Sequence, residues 1–388
     1  MEKLKIYAKT IEHEAIEQIY RMAKSEAYND CLIRIMPDCH AGKGCTVGTV
    51  IKINNKIVPN TVGVDIGCGM LVCELGNIDI DLHKLDEIIN TKVPYGFASH
   101  SEPFINPAYY AVEKLYCAKD VNIVNSLRQL GSLGGGNHFI EVNIDDENNK
   151  YLVIHSGSRH LGVEVCNYYQ NIAYKSLNEM GFIKQRLIDK LKQEGREKDI
   201  QRELKQIKKP KCDKELAYVA DTNATSYLHD MVIVQEYAAL NRHCISDIIC
   251  REMGWVVKDR FETIHNYVDV KSGILRKGAV SARTDETLII PINMRDGSLI
   301  CKGLGNEDWL YSAPHGAGRL MSRAKAKELL SMEDYQKQMD GIYSTSICDS
   351  TIDEAPMAYK PIDEIIECIK PTVKIVKQIK PIYNFKAK

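Results

Sequence analysis

The sequence predicts an α+β fold: one domain over residues 1–388, built on mixed β-sheets with a helical insertion at about 183–215. Strand-like runs fill the first third and return from His265, with helical patterns between them. No fixed-period repeat and no low-complexity linker divides the chain. The third observation is one stretch, Thr61-Val-Gly-Val-Asp-Ile-Gly-Cys-Gly-Met70, where three glycines free the backbone to bend.

Taken in order, Ile11, Ala15, Ile16, Ile19 and Met22 recur at helical spacing and predict an amphipathic helix from Thr10 to about Lys24. Cys31 to Met36 reads as a strand halted by Pro37, followed by a glycine-punctuated loop, Asp38 to Gly44. Thr46 to Ile53 and Lys56 to Val64 are β-rich and lead into the bent stretch. Residues 84–127 carry a helical pattern with polar interruptions. Gly131 to Glu141 is a loop feeding a strand, and Tyr151 to Arg159 repeats that design. A long helical region follows. Its part from Lys184 to Lys214 is charged, weakly apolar and has roughly twice as many basic as acidic residues, which predicts a solvated helical hairpin, with an RNA-contacting arm as the alternative. A second long helix spans Thr225 to Met253. Strands then return at His265 to Val270, Ala279 to Ala282, Leu288 to Ile292 and Leu299 to Gly303. A helical pattern covers Met321 to Leu330, and the tail from Pro361 reads as a helix broken by Pro371 and Pro381.

Hydrophobic residues make up 44% and charged residues 27%, so a soluble globular chain with a true core is expected. The formal net charge of -1 excludes polyanion binding through bulk charge and leaves only a local basic surface. The 13 cysteines are odd in number, irregularly spaced and never in C-x-x-C, which fits reduced thiols in the cytoplasm better than a disulfide framework. No apolar leader and no run long enough to span a bilayer is present, so no membrane is expected.

The bent stretch aims Asp65 and Cys68 at one spot, and a carboxylate beside a thiolate is half of a metal site. Histidine is the natural other half. His138, His155, His265 and His315 all sit beside glycine, asparagine or a strand end and not on an amphipathic face. Each alone is as well explained as a hydrogen-bonded structural histidine. Together with Asp65 and Cys68 they carry the ingredients of a two-metal centre with a bridging thiolate. Ligand softness favours zinc, while the carboxylate leaves manganese open. His315 is followed by Gly316-Ala-Gly318 and Arg319, where backbone N–H groups and a fixed charge suit an anion, so its imidazole is placed to attack phosphorus. The Gly131–Gly136 loop lacks a following Gly-Lys-Ser/Thr and is no Walker loop.

These residues closely resemble the RtcB family of RNA ligases over nearly the whole length. The resemblance rests on Pro37-Asp-Cys-His-Ala-Gly-Lys-Gly44, Val62-Gly-Val-Asp-Ile-Gly-Cys-Gly-Met70, Gly134-Gly-Gly-Asn-His-Phe-Ile-Glu141 and His155-Ser-Gly-Ser-Arg159. It continues in His265-Asn-Tyr267, Lys277-Gly-Ala-Val-Ser-Ala-Arg283, His315-Gly-Ala-Gly-Arg319 and Pro356-Met-Ala-Tyr-Lys360. It implies a GTP- and Mn²⁺-dependent ligase that joins RNA 3′-phosphate or 2′,3′-cyclic phosphate ends to 5′-hydroxyl ends, in RNA repair or tRNA splicing. By position, Asp65, Cys68 and His138 would hold one Mn²⁺, and Cys68, His155 and His265 the second. His315 would carry GMP. Asn137, Glu141, Ser298, Ala317, Gly318, Tyr359 and Lys386 would contact the guanylate.

One loop departs from the family pattern: where common members read Pro-Gly-Ser-Met-Gly, this chain reads Pro291-Ile-Asn-Met-Arg-Asp-Gly297. Arg295 is expected to supply charge there in place of backbone donors, and the change suggests a divergent branch devoted to repair. Two other readings stand beside the ligase: a metal-dependent RNA-end phosphoesterase on the same scaffold, and a non-catalytic RNA-binding accessory protein.

Overall fold

Seven strands make one antiparallel sheet in the spatial order Thr287–Asn293, Gly297–Gly303, Val373–Lys386, Phe139–Ile144, Lys150–Ser156, Gly69–Gly76 and Asp259–Ile264. Five more form a mixed sheet, ordered Leu4–Ile6, Leu32–His40, Val47–Lys52, Ile274–Lys277 and Asn266–Asp269, in which only the first pair is parallel. Ala279–Ser281 and Ser312–Pro314 pair separately. These elements come from a computed structural model that describes residues 2–103, 108–207 and 212–387. The architecture is α+β, as the sequence predicts.

The two large sheets exchange chain at a single residue. Ile264 ends a strand paired to Gly69, Asn266 opens one paired to Lys277, and His265 lies between them. Beneath this junction runs the helix Asp221–Met253, stopped by Gly254 in the left-handed conformation, whose N–H caps Arg251 and Cys250 carbonyls. Tyr227, Met231 and Val234 pack with Ile33, Ile51 and Leu275 of the smaller sheet. One end of the helix instead sets Ile245 and Ile249 against Leu71, Ile140 and Ile154 of the larger sheet. A helix apolar on more than one face is buried, and each such side chain contributes roughly 1.5–3 kcal/mol.

Four expectations change. The strand from Leu32 runs through Pro37 to His40, because its register to the neighbour is interrupted between Ile35 and His40 and Pro37 needs no ladder N–H there. Within the β-rich run Lys56 to Val64, Pro59–Val62 is a short helix, with Pro59 preset at its first turn and Gly63 at φ 103° ending it. The tail is helical only over Ile362–Ile369. Val373–Lys386 is a fourteen-residue strand, and its register shift between Pro381 and Tyr383 absorbs the missing proline donor. Arg295 is the fourth and belongs with the site. The basic segment is helical over Met180–Gln193 and Ile200–Gln206. Residues 208–211 of that segment, and 104–107 of the 84–127 helical pattern, lie outside the described residues. Among the described residues no helix is long and apolar enough to cross a membrane.

Candidate metal and nucleotide site

The bent stretch lies on the long helix. A Cβ on Gly67 (φ 69°) would stand 2.8 Å from the Gln235 Cα, so glycine is what lets the loop sit this low. Arg242, fully buried, donates to the carbonyls of Gly67 (2.8 Å) and Ser156 (2.7 Å). Its neighbour Asn241 donates to the Ser132 and Gly157 carbonyls and accepts from the Gly131 and Ser132 amides. Two adjacent helix residues therefore hold the three loops that carry Cys68, His138 and His155. Gly157 has a separate reason: a Cβ there would lie 2.1 Å from Asp65 Oδ1.

The five predicted ligand atoms form one connected cluster. Cys68 Sγ is 3.5 Å from His138 Nε2 and 3.3 Å from His155 Nε2, and Asp65 Oδ2 is 2.9 Å from His138 Nε2. His265 Nε2 is 3.4 Å from His155 Nε2, and the His265 amide donates to the Cys68 carbonyl (2.9 Å). All three imidazoles and the thiol are buried. The ring tautomers decide what this cluster wants. His138 Nδ1 donates to the Leu133 carbonyl (2.8 Å) and His155 Nδ1 to the Asn137 carbonyl (3.2 Å), since a carbonyl can only accept. In the neutral rings both Nε2 atoms are then bare lone pairs, facing a carboxylate oxygen and a sulfur. With Cys68 as thiolate, acceptors gathered on acceptors need a cation between them, and the backbone hydrogen bonds orient the imidazoles as metal ligands require. Burial pushes the Cys68 thiol well above its ordinary value, with Asp65 adding to it, and burial lowers His155 and His265 well below theirs. Burial also raises Asp65, but a proton on His138 Nε2 in place of a metal would outweigh it through its hydrogen bond and charge and hold the carboxyl below the usual range. Among the described residues, His265 Nδ1 is buried without a protein partner. The donor set fits divalent metal.

His315 faces this cluster, its ring centroid 4.7 Å from that of His265. Asp38, fully buried, accepts from His315 Nδ1 (2.7 Å) and from the His315 amide (3.2 Å). The sequence reading missed Asp38 as a working residue, although Pro37-Asp-Cys-His40 beside a glycine loop was its signal.

A pocket of about 500 Å³ opens over these groups. Its wall includes Asp65, Cys68, His155, His265 and His315, and also Asn137, Glu141, Ala317, Gly318, Tyr359 and Lys386. Ser298 does not line it: it is fully buried in its strand, paired with Pro291 and Ile379. Glu141 accepts from Asn384 (2.6 Å) and Asn143 (3.2 Å), and burial raises its pKa to about 7. Across the pocket, buried Glu354 accepts from Lys386 (2.8 Å), Tyr359 (2.7 Å), Arg319 (3.3 Å) and Arg323 (2.6 Å). Burial raises that carboxyl, yet Lys386 and Arg323 overrule it and hold the pKa at about 2. Glu354 was not legible, because Asp353-Glu354 reads as an ordinary charged surface step. Arg319 stacks on Tyr359 at 5.2 Å.

The departing loop behaves unlike the expectation. Ile292, Asn293 and Met294 line the pocket, while Arg295 is exposed and turned aside, held by Asp296 (2.8 Å) and hydrogen-bonded to Gln338. It supplies no charge to the pocket. Met294 is buried against Tyr335 and Met339, which anchors the hairpin tip.

Comparison with known proteins agrees with this geometry. Residues 18–387 match the family model described as tRNA-splicing ligase RtcB. An RNA-splicing ligase RtcB from Escherichia coli K12 is 31% identical, covering 92% of this chain and 90% of that protein. A tRNA-splicing ligase RtcB from Aeropyrum pernix is 25% identical over 86% of this chain and 83% of its own length. With the family model spanning nearly every residue and a relative above 30% identity over almost its full length, the chain belongs to the RtcB family.

Proposed function

We propose that this protein is an RNA ligase that uses GTP and Mn²⁺ to join RNA 3′-phosphate or 2′,3′-cyclic phosphate ends to 5′-hydroxyl ends, through GMP carried on His315. The observation that carries the reading is the His315 imidazole, tied to buried Asp38 and set against the acceptor-rich Cys68 cluster in one pocket. Asp65, Cys68 and His138 would hold one ion, and Cys68, His155 and His265 the other. Bound there, the ions supply charge neutralisation for a triphosphate and for the RNA end.

With Nδ1–H directed into Asp38, the neutral ring presents its Nε2 lone pair to the α-phosphorus of GTP. The N–P bond forms as pyrophosphate leaves, and the Asp38 carboxylate offsets the positive charge that develops on the ring. Glu141 suits the N–H donors of guanine; Lys386 and Arg319 suit the phosphates of GTP. His315 then passes GMP to the RNA 3′-phosphate, and attack by the 5′-hydroxyl expels GMP. Residues from Asp38 to Lys386 contribute, which supports residues 1–388 acting as one ligase domain, with the basic helical segment near 183–215 as an insertion. Thirteen unpaired cysteines support a reducing, cytoplasmic setting.

The test is incubation with α-labelled GTP and Mn²⁺ followed by denaturing electrophoresis. Label retained on wild type and absent from His315→Ala is expected. Conversion of cyclic phosphate ends without label on the protein would instead make the chain a phosphoesterase.

A further inference from the structure

Asp38 holds two imidazoles, and the chemistry above uses only one. Its carboxylate accepts a hydrogen bond from His315 Nδ1, and its backbone carbonyl accepts from Nδ1 of His40 at 3.0 Å. A carbonyl cannot donate, so the neutral His40 ring carries its proton on Nδ1 and leaves Nε2 bare. Among the described residues no protein group partners that Nε2, and His40 lies on the pocket wall. The ring is held firmly. His40 ends its strand opposite Val47; the next amide, Ala41, donates to Glu12 (2.7 Å), and Lys360 Nζ binds the Pro37 (2.8 Å) and Cys39 (3.3 Å) carbonyls. An acceptor-only nitrogen has no use for a phosphate oxygen, which is an acceptor too. It matches a hydroxyl.

We infer that His40 Nε2 is the base that takes the proton from the RNA 5′-hydroxyl in the sealing step, a role that rests on the ligase reading. The 5′-oxygen forms its bond to the 3′-phosphorus with the electron pair released from O–H. The bond from that phosphorus to the GMP oxygen breaks, and GMP departs with its pair. His40, now imidazolium, returns its proton to water. Burial lowers the His40 pKa to about 4 against the hydrogen bond to Asp38, with His315 and Arg319 adding to the decrease. The groups facing it are therefore Asp38, His315 and Arg319, with Glu12 on the neighbouring loop. Anionic phosphates in the pocket oppose the charge of Arg319 and move the base toward the working pH.

His40→Asn is the informative variant, because its amide nitrogen replaces Nδ1 toward the Asp38 carbonyl while nothing replaces Nε2. RNA already ending in 3′-pp-5′-G is supplied with a 5′-hydroxyl partner, which bypasses GTP. Sealing by the variant is expected to fall at least about 100-fold, and its rate to climb with hydroxide where wild type levels off. Labelling of His315 by GTP is expected to stay within about threefold. His40→Gln, whose amide reaches the Nε2 position without basicity, is expected to fold and also fail to seal. Wild-type sealing rates in His40→Asn would overturn the inference alone. Equal losses in labelling and sealing would overturn it too, by making His40 a support for Asp38. Wild type that takes GTP yet cannot seal the activated RNA would remove the ligase reading and the inference together.

Discussion

The two ends of the pocket handle buried polarity in opposite ways. Around Cys68 the protein fixes His138 and His155 with backbone carbonyls and leaves bare acceptors pointing at one another. Around Glu354 it sets a carboxylate among Lys386, Arg319 and Arg323, so that most charge is answered within the protein. The first arrangement is incomplete without a cation; the second is complete and still carries surplus positive charge toward the pocket. The lesson is that a metal end is recognised by acceptors lacking donors, and an anion end by cations outnumbering the acid that organises them.

The sharpest way to break this contrast is Cys68→Ala, which removes the atom shared by both proposed ion sites. Mn²⁺ affinity in equilibrium dialysis should fall by more than about 100-fold, and GTP labelling should vanish. Asp38→Asn should lower the labelling rate by about 100-fold or more with the fold intact, since it disturbs the ring and not the ligands. At the other end, Glu354→Gln leaves Lys386 and Arg319 uncompensated and should cost roughly 3 kcal/mol in denaturant unfolding. Retention of full stability would show that the anion end does not depend on its acid.

Two of the pocket carboxylates, Glu141 and Glu354, sharpen the comparison through pH. Glu141 has its folded pKa raised to about 7, so the folded state binds more protons than the unfolded one above the ordinary glutamate value of 4.5. Its contribution to stability therefore falls as pH rises from about 4.5 to 7, and Glu141→Gln should flatten that limb of the stability profile. Glu354 is depressed to about 2, so its stabilisation is present above 4.5 and is lost as pH falls toward 2. The smallest effect belongs to Arg295→Ala: its pairing with Asp296 is a surface contact, so stability should change by less than about 1 kcal/mol and labelling hardly at all.

Much of the site was legible because its residues break local habits. Asp65 and Cys68 at a glycine bend, and His138 and His155 at the mouths of strands, stand where packing alone gives no reason for them. Asn241 and Arg242 were hidden for the opposite reason: inside a regular helix they look like surface polarity, and only burial shows that they carry the loops. Pro37 and Pro381 misled in the same physical way. Proline forbids one ladder hydrogen bond, and the sheets supply a register shift at each place where that bond is missing. Val373–Lys386 lacks helical partners and finds two strands instead, which no local pattern reveals.

That strand has a consequence for how the molecule is made. It joins Gly297–Gly303 on one half of its length to Phe139–Ile144 on the other, so the large sheet stays open until Lys386 has been synthesised. Loop closure over such separations is slow. A nascent chain would carry the Cys68 sulfur for many seconds without Lys386, which lines the same finished cavity, and so would be vulnerable to oxidants and stray metal while still inert toward nucleotide.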